Sequence, residues 1–230
     1  MSLTDELKTR LLQCGAGLVG IGNVDDIPNC QYKIGVSVAV PVPENIVYDL
    51  QTAPTEEYYH MYYTLNSKLN EIVMEGETFL KNAGYEAYAQ TTERVTTNEQ
   101  WISKIPHKTV ATRAGLGWIG KNCLLVTPEF GSAIRLSSLL TNAPLECSEA
   151  ITHSKCGNCD LCVKNCPAQA LHGTLWEAGM ERKEIVDVDK CYKKQVEIMK
   201  AKTGIEQDLC GKCFAVCAYT QKYLKSRRSM

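Results

Sequence analysis

The sequence lacks any marked excess of one charge. Its 25 Lys and Arg residues face 26 Asp and Glu residues, which gives a net charge of −1 at neutral pH. So small a charge provides no long-range attraction to nucleic acid or to an anionic membrane. The sequence also has no apolar run of about 18 residues, which is the length that would predict a membrane-spanning helix. With 230 residues, the chain is nevertheless long enough to bury a substantial core.

The N-terminus also lacks the apolar segment of a secretory signal, because Met1–Lys8 is polar and amphipathic. We therefore expect a cytoplasmic protein with no membrane partner, in a compartment where thiols stay reduced. Cysteine, by contrast, is abundant, with 12 residues. In a chain of this length and compartment, so many cysteines indicate metal binding or redox chemistry and not a disulfide framework.

The uneven distribution of the cysteines predicts two domains. Residues 1–150 contain four of them, whereas residues 151–230 contain eight. We predict an α+β protein in which an N-terminal mixed α/β domain, residues 1–150, holds a cofactor or substrate. A small double-cluster domain resembling a bacterial ferredoxin, residues 151–230, follows it.

Hydrophobic periodicity predicts regular elements in the first domain. Leucines at every fourth position indicate an amphipathic helix at the N-terminus. Strict alternation indicates one strand, whose second face consists of small residues that another element or a ligand can approach. The predicted helices cover residues 3–13, 56–83 and 106–114, and the predicted strands cover residues 32–40, 123–126 and 133–140.

Eight cysteines carry the clearest chemical signal. The run from Cys156 to Pro167 reads C-x2-C-x2-C-x3-C-P, and a second set of cysteines follows it. In this pattern three thiolates wrap one cubane cluster, and the fourth, just before proline, serves another. By this crossing logic we assign one 4Fe–4S cluster to Cys156, Cys159, Cys162 and Cys217, and a second to Cys166, Cys191, Cys210 and Cys213.

A zinc ribbon is the alternative for these cysteines, built from the two C-x2-C pairs that begin at Cys156 and Cys210. It would leave four well-spaced cysteines unused and would not explain Cys166-Pro167. Two neighbouring clusters, by contrast, would form an electron relay. The relay would either serve another protein or deliver electrons to an acceptor in the first 150 residues.

Two glycine-rich stretches, Gly15–Gly20 and Gly115–Gly120, match the G-x-G-x-x-G pattern. A dinucleotide site needs a strand before this pattern and a helix after it, whereas each stretch here follows a predicted helix and leads towards a strand. We therefore predict a helix end and tight turn at the first stretch, and no nicotinamide site at either. The second stretch contains Trp118 and precedes Lys121 and Asn122, which together could hold a large ligand.

The segment His107–Val126, followed by Gly131-Ser132, Leu139–Pro144 and the cysteine pattern, resembles the epoxyqueuosine reductase family, which is related to the reductive dehalogenases. The resemblance covers about residues 100–220. It implies that two 4Fe–4S clusters reduce a cobalamin in the N-terminal domain, and that Ala114–Asn122 lies at the corrin. Including two flanking residues that could contact the cofactor, the candidates are His107, Arg113, Gly115, Leu116, Gly117, Trp118, Gly120, Lys121, Asn122 and Arg135.

The chain also departs from this family. The family carries an acidic residue ahead of the glycine-rich helix, where this sequence has Trp101-Ile-Ser-Lys104, and usually a proline where it has Ala218. We also expect no counterpart of the helical-repeat domain that follows the clusters in the family. We therefore do not expect a tRNA substrate, and we assign no catalytic residue beyond His107, which could donate a proton. The expected partners are an unidentified substrate and a low-potential electron donor such as a flavodoxin or ferredoxin.

Two other functions compete with a cobalamin-dependent reductase. The protein could be an electron-transfer protein whose clusters serve a partner and whose first domain is a docking platform. It could also be a reductase with a flavin in place of cobalamin. The visible spectrum of the anaerobically purified protein, before and after addition of hydroxocobalamin, distinguishes the three.

Overall fold

The computed structural model describes residues 2–28, 30–99 and 101–228. Its backbone divides the chain into two compact units, each assembled from separated segments. The first unit comprises Met1–Val40, Thr64–Gly117 and Arg135–Ile151, and the second comprises Pro41–Tyr63, Trp118–Ile134 and Thr152–Met230. These units follow spatial contacts and not chain order, and the boundary after residue 150 stays a prediction.

The regular elements mix helices and strands along the described chain, which agrees with the mixed α/β character predicted from the sequence. A 3-10 turn, Arg182–Glu184, precedes the sixth helix. The elements in chain order are α1 (Leu3–Gln13), β1 (Leu18–Asn23), β2 (Ile34–Pro41), α2 (Glu44–Asp49), α3 (Glu56–Asn82), β3 (Ala87–Ala89), α4 (His107–Arg113), β4 (Trp118–Ile119), β5 (Leu125–Val126), β6 (Ile134–Thr141), α5 (Leu161–Lys164), α6 (Val188–Thr203), α7 (Lys212–Ala215) and α8 (Ala218–Arg228).

A four-stranded sheet in the order β1-β2-β6-β3 forms the centre of the first unit. Strands β1 and β2 pair antiparallel, as do β3 and β6. The N-terminal helix begins with a capping box, in which the Ser2 side chain and the Asp5 carboxylate bond to each other's backbone N–H groups. Leu7 and Leu11 of this helix are fully buried, which confirms the amphipathic face predicted for residues 3–13.

Glycines in β1 and β2 allow α4 to pack closely on these two strands of the sheet. A Cβ atom at Gly22 of β1 would collide with the backbone of Arg113, and one at Gly35 of β2 would lie 2.7 Å from Val110 Cγ1. The face of small residues predicted for the strand at residues 32–40 therefore packs against α4 at this point. Both G-x-G-x-x-G stretches follow a helix, as predicted, and they lead into β1 and β4, so neither has the order of a dinucleotide fingerprint.

The second unit consists of shorter elements joined by long connections. Strands β4 and β5 form a two-stranded ladder in which Trp118 faces Val126. Ser132 N donates to Thr220 Oγ1 at 3.1 Å, and Gly131 approaches the Thr220 backbone so closely that no Cβ would fit between them. Within the part of the chain that the structure describes, no helix has both the length and the hydropathy that a bilayer span requires. The ferredoxin-like character of the C-terminal segment stays a prediction.

Candidate functional site

A small cavity of about 20 Å³ in the second unit is surrounded by thiols from two separated segments. One segment is the loop and short helix at residues 156–162, where Cys159 N donates to the Cys156 carbonyl at 3.1 Å. The other is the connection between α7 and α8, which carries Cys217. The cysteines that line the cavity are Cys156, Cys159, Cys162 and Cys217, which are the four residues assigned above to one cluster.

Burial and mutual proximity act on the thiols of this group. The pKa of Cys162 is raised to about 12, first by burial and then by the neighbouring thiols of Cys217 and Cys156. A thiol with so high a pKa is protonated at pH 7, and a metal must displace its proton in order to bind. Binding of a metal at this cavity would therefore release protons.

The remaining four predicted ligands form a second neighbourhood in the same unit. Burial raises the pKa of Cys191 to about 11, with further contributions from the thiols of Cys166 and Cys210. Burial also raises the pKa of Cys213 well above its usual value, and Cys210 and Cys191 add to this effect. Two N–H groups reach these sulfurs, because Ala170 N lies 3.4 Å from Cys166 Sγ and Gln195 Nε2 lies 3.3 Å from Cys191 Sγ.

Eight thiols in two adjacent groups form a donor set that suits two 4Fe–4S clusters, because such clusters are held by four thiolates each and tuned by N–H groups that bond to sulfur. Among the described residues, no three His, Cys, Asp or Glu side chains are arranged as the ligands of a single metal ion. The binding of clusters by these thiols, and their division between two clusters, stay predictions.

The end of the second glycine-rich stretch faces the first cavity. Trp118 Nε1 lies 3.5 Å from Cys156 Sγ, and Lys121 Nζ donates to the Gly157 carbonyl at 2.9 Å. Lys121 also lines the cavity itself. The resemblance implied that these two residues contact a corrin, and that role stays a prediction, whereas the structure places both beside the cysteine loop. No sequence signal linked either residue to the cysteines, because the two segments come together only in the tertiary fold.

Two neighbouring candidates, Gly120 and Asn122, have close contacts within the second unit. The space where a Cβ atom of Gly120 would lie is occupied by Asn122 Oδ1 and Val126 Cγ2, both 2.7 Å away. Asn122 Nδ2 donates to Ser132 Oγ at 2.9 Å. Gly117 is the last residue of its segment of the first unit. Gly120 therefore has a structural explanation in the tight turn that precedes β5.

The first half of the stretch belongs to the first unit. Arg113 forms an ion pair with Asp26 at 2.7 Å. Gly115 has a φ of 70°, a left-handed conformation that favours glycine, and a Cβ atom there would lie 2.9 Å from the Glu149 carbonyl oxygen. Leu116 packs onto β1 at Gly20, where a Cβ atom would be 2.8 Å from Leu116 Cγ.

His107 and Arg135 take part in a polar network of the first unit. His107 Nδ1 lies 2.8 Å from Ser138 Oγ, and Gln90 Nε2 donates to the same hydroxyl at 2.6 Å. Burial lowers the pKa of His107 to about 4, and the positive charge of Arg135 contributes. The ring is therefore neutral at pH 7, and its role as a proton donor stays a prediction. Arg135 in turn donates to Asn66 Oδ1 at 2.7 Å.

Curated relatives match part of the chain. The epoxyqueuosine reductase of Listeria monocytogenes is 50% identical over 64 residues, which cover 28% of this chain and 17% of the relative. That of Synechocystis sp. is 33% identical over 131 residues, which cover 52% of this chain and 41% of the relative. The matches thus span less than half the length of these relatives. No protein-family profile matches the chain.

Solved structures match almost the whole chain. A catabolic reductive dehalogenase superposes with a TM-score of 0.75 at 18% identity, covering 97% of this chain and 33% of the other. A reductive dehalogenase structure described as suggesting a mechanism for B12-dependent dehalogenation gives 0.72 at 17% identity, with 96% and 33% covered. Epoxyqueuosine reductase with an epoxyqueuosine-modified tRNA-Tyr stem loop gives 0.62 at 20% identity, with 95% and 65% covered.

The chain resembles the epoxyqueuosine reductases and the reductive dehalogenases. The resemblance inferred from the glycine-rich stretch and the cysteine spacing is thereby confirmed. At these identities the structural matches establish a shared fold.

Proposed function

We propose that the protein is an iron–sulfur reductase in which two 4Fe–4S clusters deliver electrons to a cobalamin for the reduction of a substrate not yet identified. The observation that carries this proposal is the cavity of the second unit, where three cysteines of one loop meet Cys217 from a distant segment. Two adjacent cubanes form an electron relay. A low-potential donor such as a flavodoxin or ferredoxin would supply the electrons, and the cytoplasm is the compartment we expect.

Support for cobalamin comes from the comparisons, since one structure of similar fold is described as B12-dependent and sequence relatives are reductases. When bound, cobalamin would supply a low-valent cobalt as the reductant. The epoxyqueuosine reductase bound to a modified tRNA stem loop keeps such a tRNA among the substrates to be tested, despite the sequence departures.

Metal analysis of anaerobically purified protein tests the clusters. We expect about eight iron and eight sulfide per chain, as two cubanes require. Cys217→Ala should reduce both values to about four, because the first cluster loses a ligand. Cys14→Ser, at an exposed cysteine of the first unit, is the matched control and should leave both values unchanged. Zinc without iron in the unaltered protein would refute the proposal.

Addition of hydroxocobalamin tests the corrin. We expect the spectrum of added cobalamin to change in the presence of the protein, and the two to co-elute on gel filtration. An iron-loaded protein that leaves the cobalamin spectrum unchanged would instead be an electron-transfer protein. A bound yellow chromophore would identify a flavin enzyme.

A further inference from the structure

We infer that Trp118 and Lys121 raise the reduction potential of the cluster proposed at Cys156, Cys159, Cys162 and Cys217. This inference rests on the proposed function, because it requires a cluster at that cavity. It gives both residues a role different from the corrin contacts that the family resemblance implied. Both would act as positioning residues that favour the reduced cluster, without contacting the substrate.

The indole of Trp118 directs its N–H group at a predicted cluster sulfur. Its side chain is 1% exposed, and Nε1 lies 3.5 Å from Cys156 Sγ. The ring packs in a T-shaped arrangement with Tyr219, with the ring centroids 4.9 Å apart. The ammonium of Lys155 lies over the indole, 5.9 Å from its centroid. An indole N–H can only donate, so its partner must accept. Hydrogen bonds to cluster sulfurs strengthen as the cluster gains negative charge, and they therefore favour its reduction.

Lys121 places a positive charge at the same cavity. It is 8% exposed, and its ammonium donates to the carbonyl of Gly157, the residue after Cys156. Among the described residues, no carboxylate forms a salt bridge with it; the nearby carboxylate of Asp160 pairs with Lys164 at 2.9 Å, and the charge of Lys121 contributes only a further lowering of the Asp160 pKa. A buried ammonium needs a compensating negative charge. An iron–sulfur core with four thiolate ligands is negatively charged, and reduction adds one further negative charge that the ammonium would stabilise.

A purely structural role is the competing explanation. Trp118 packs against Tyr219 and Lys121 holds the cysteine loop, so either residue could serve only to shape the cavity. In that case substitutions would lower stability or iron content, and any cluster that remained would keep its potential. The reduction potential therefore separates the two explanations, whereas activity and stability do not.

The test is a redox titration of anaerobic protein followed by electron paramagnetic resonance. Trp118→Phe removes the N–H donor and keeps an aromatic ring, and Lys121→Met removes the charge. Each should lower the equilibrium constant for one-electron reduction of the first cluster about tenfold, which is a shift of about 59 mV to more negative potential. The second cluster should keep its potential and serves as an internal reference. Lys121→Arg should keep the potential of the first cluster close to that of the unaltered protein, because arginine retains the positive charge.

Trp176→Phe is the matched control, because Trp176 is also a buried tryptophan of the second unit and has no described hydrogen bond to a thiol. It should leave both potentials unchanged. Unchanged potentials in iron-replete Trp118→Phe and Lys121→Met would overturn this inference and leave the proposed function intact. Absence of iron from the unaltered protein would overturn the proposed function itself.

A second measurement does not depend on the stability of the Trp118 variant. Unaltered protein with ¹⁵N-labelled indole should show, by pulsed electron paramagnetic resonance, a coupling between one indole nitrogen and the reduced first cluster. The same coupling should persist in labelled Trp176→Phe. Its absence from reduced, iron-replete protein would overturn the assignment of Trp118.

Discussion

The two units differ in what holds them together. The first has a four-stranded sheet covered by helices, with side chains such as Leu7, Leu11 and Leu139 fully removed from solvent. The second carries the cysteines on elements such as α5 and α7, each only four residues long, and α5 has no buried residue. Helices of that length do not form without tertiary support. The comparison indicates that the first unit relies on its hydrophobic core, whereas the cysteine-bearing segment would rely on the clusters proposed for it.

Removal of iron should produce the largest difference between the units. Metal binding at a structural site is coupled to folding and contributes on the order of 10 kcal/mol in small metal-binding domains. We expect chelation under anaerobic conditions to abolish hydrogen-exchange protection around residues 156–217. Amides of β2 and β6 should stay protected. Equal loss of protection in both units would show that the first unit does not have an independent core.

Truncation of a core leucine should produce the opposite pattern. Leu11→Ala leaves a cavity beside Gly76 and Leu139 and should cost about 2–5 kcal/mol in the free energy of unfolding of the first unit. Iron content should stay unchanged. Leu12→Ala, at the next and exposed position of the same helix, should change stability by less than about 0.5 kcal/mol. Denaturant unfolding and iron analysis of both variants measure these effects, and similar costs for both would contradict the burial of Leu11.

A smaller effect concerns the pH dependence of the first unit. The pKa of His107 is about 4 in the folded protein, whereas an unfolded histidine titrates near 6.5. The unfolded chain therefore binds more protons between these values, and stability falls as the pH decreases from about 6.5 towards 4. The free energy of unfolding should therefore differ less between pH 7 and pH 5 in His107→Gln than in the unaltered protein, by about 1–2 kcal/mol. This figure is discounted because the imidazole is partly exposed.

Unfolding curves at several pH values provide the measurement for His107. His153→Gln, at an exposed position of the second unit, should keep the pH dependence of the unaltered protein. An unchanged slope in His107→Gln would show that the imidazole is not buried in its neutral form.

Long, strongly periodic elements could be predicted from the sequence. The helix expected at residues 56–83 is observed at Glu56–Asn82, where Thr55 Oγ1 accepts from Tyr58 N at 3.1 Å and Gly84 follows with a φ of 89°. Strand β1 was missed because its glycines interrupt the apolar pattern, and they are required by the close approach of α4 and of the residues that follow it. Segments as short as β3 provide too few residues for a period to emerge.

The candidate site was predicted unevenly for a physical reason. The cysteine spacing within one loop is a local property, and it brings Cys156, Cys159 and Cys162 together in the structure as expected. Contacts such as those of Trp118 and Lys121 with the cysteine loop join segments far apart in the chain, and no local pattern encodes them. The division of each unit into three separated segments could not be predicted for the same reason, because it also depends on contacts between distant parts of the chain.

The participation of Cys217 in the first cavity also has a consequence for biosynthesis. Three of the thiols emerge from the ribosome together, but the fourth follows only after α6 and α7 have been translated. A nascent chain would therefore display an incomplete set of thiols for several seconds, at elongation rates of about 5–20 residues per second. Maturation of that cavity would consequently wait for Cys217, and delivery of the proposed cluster would have to act on a chain translated at least that far.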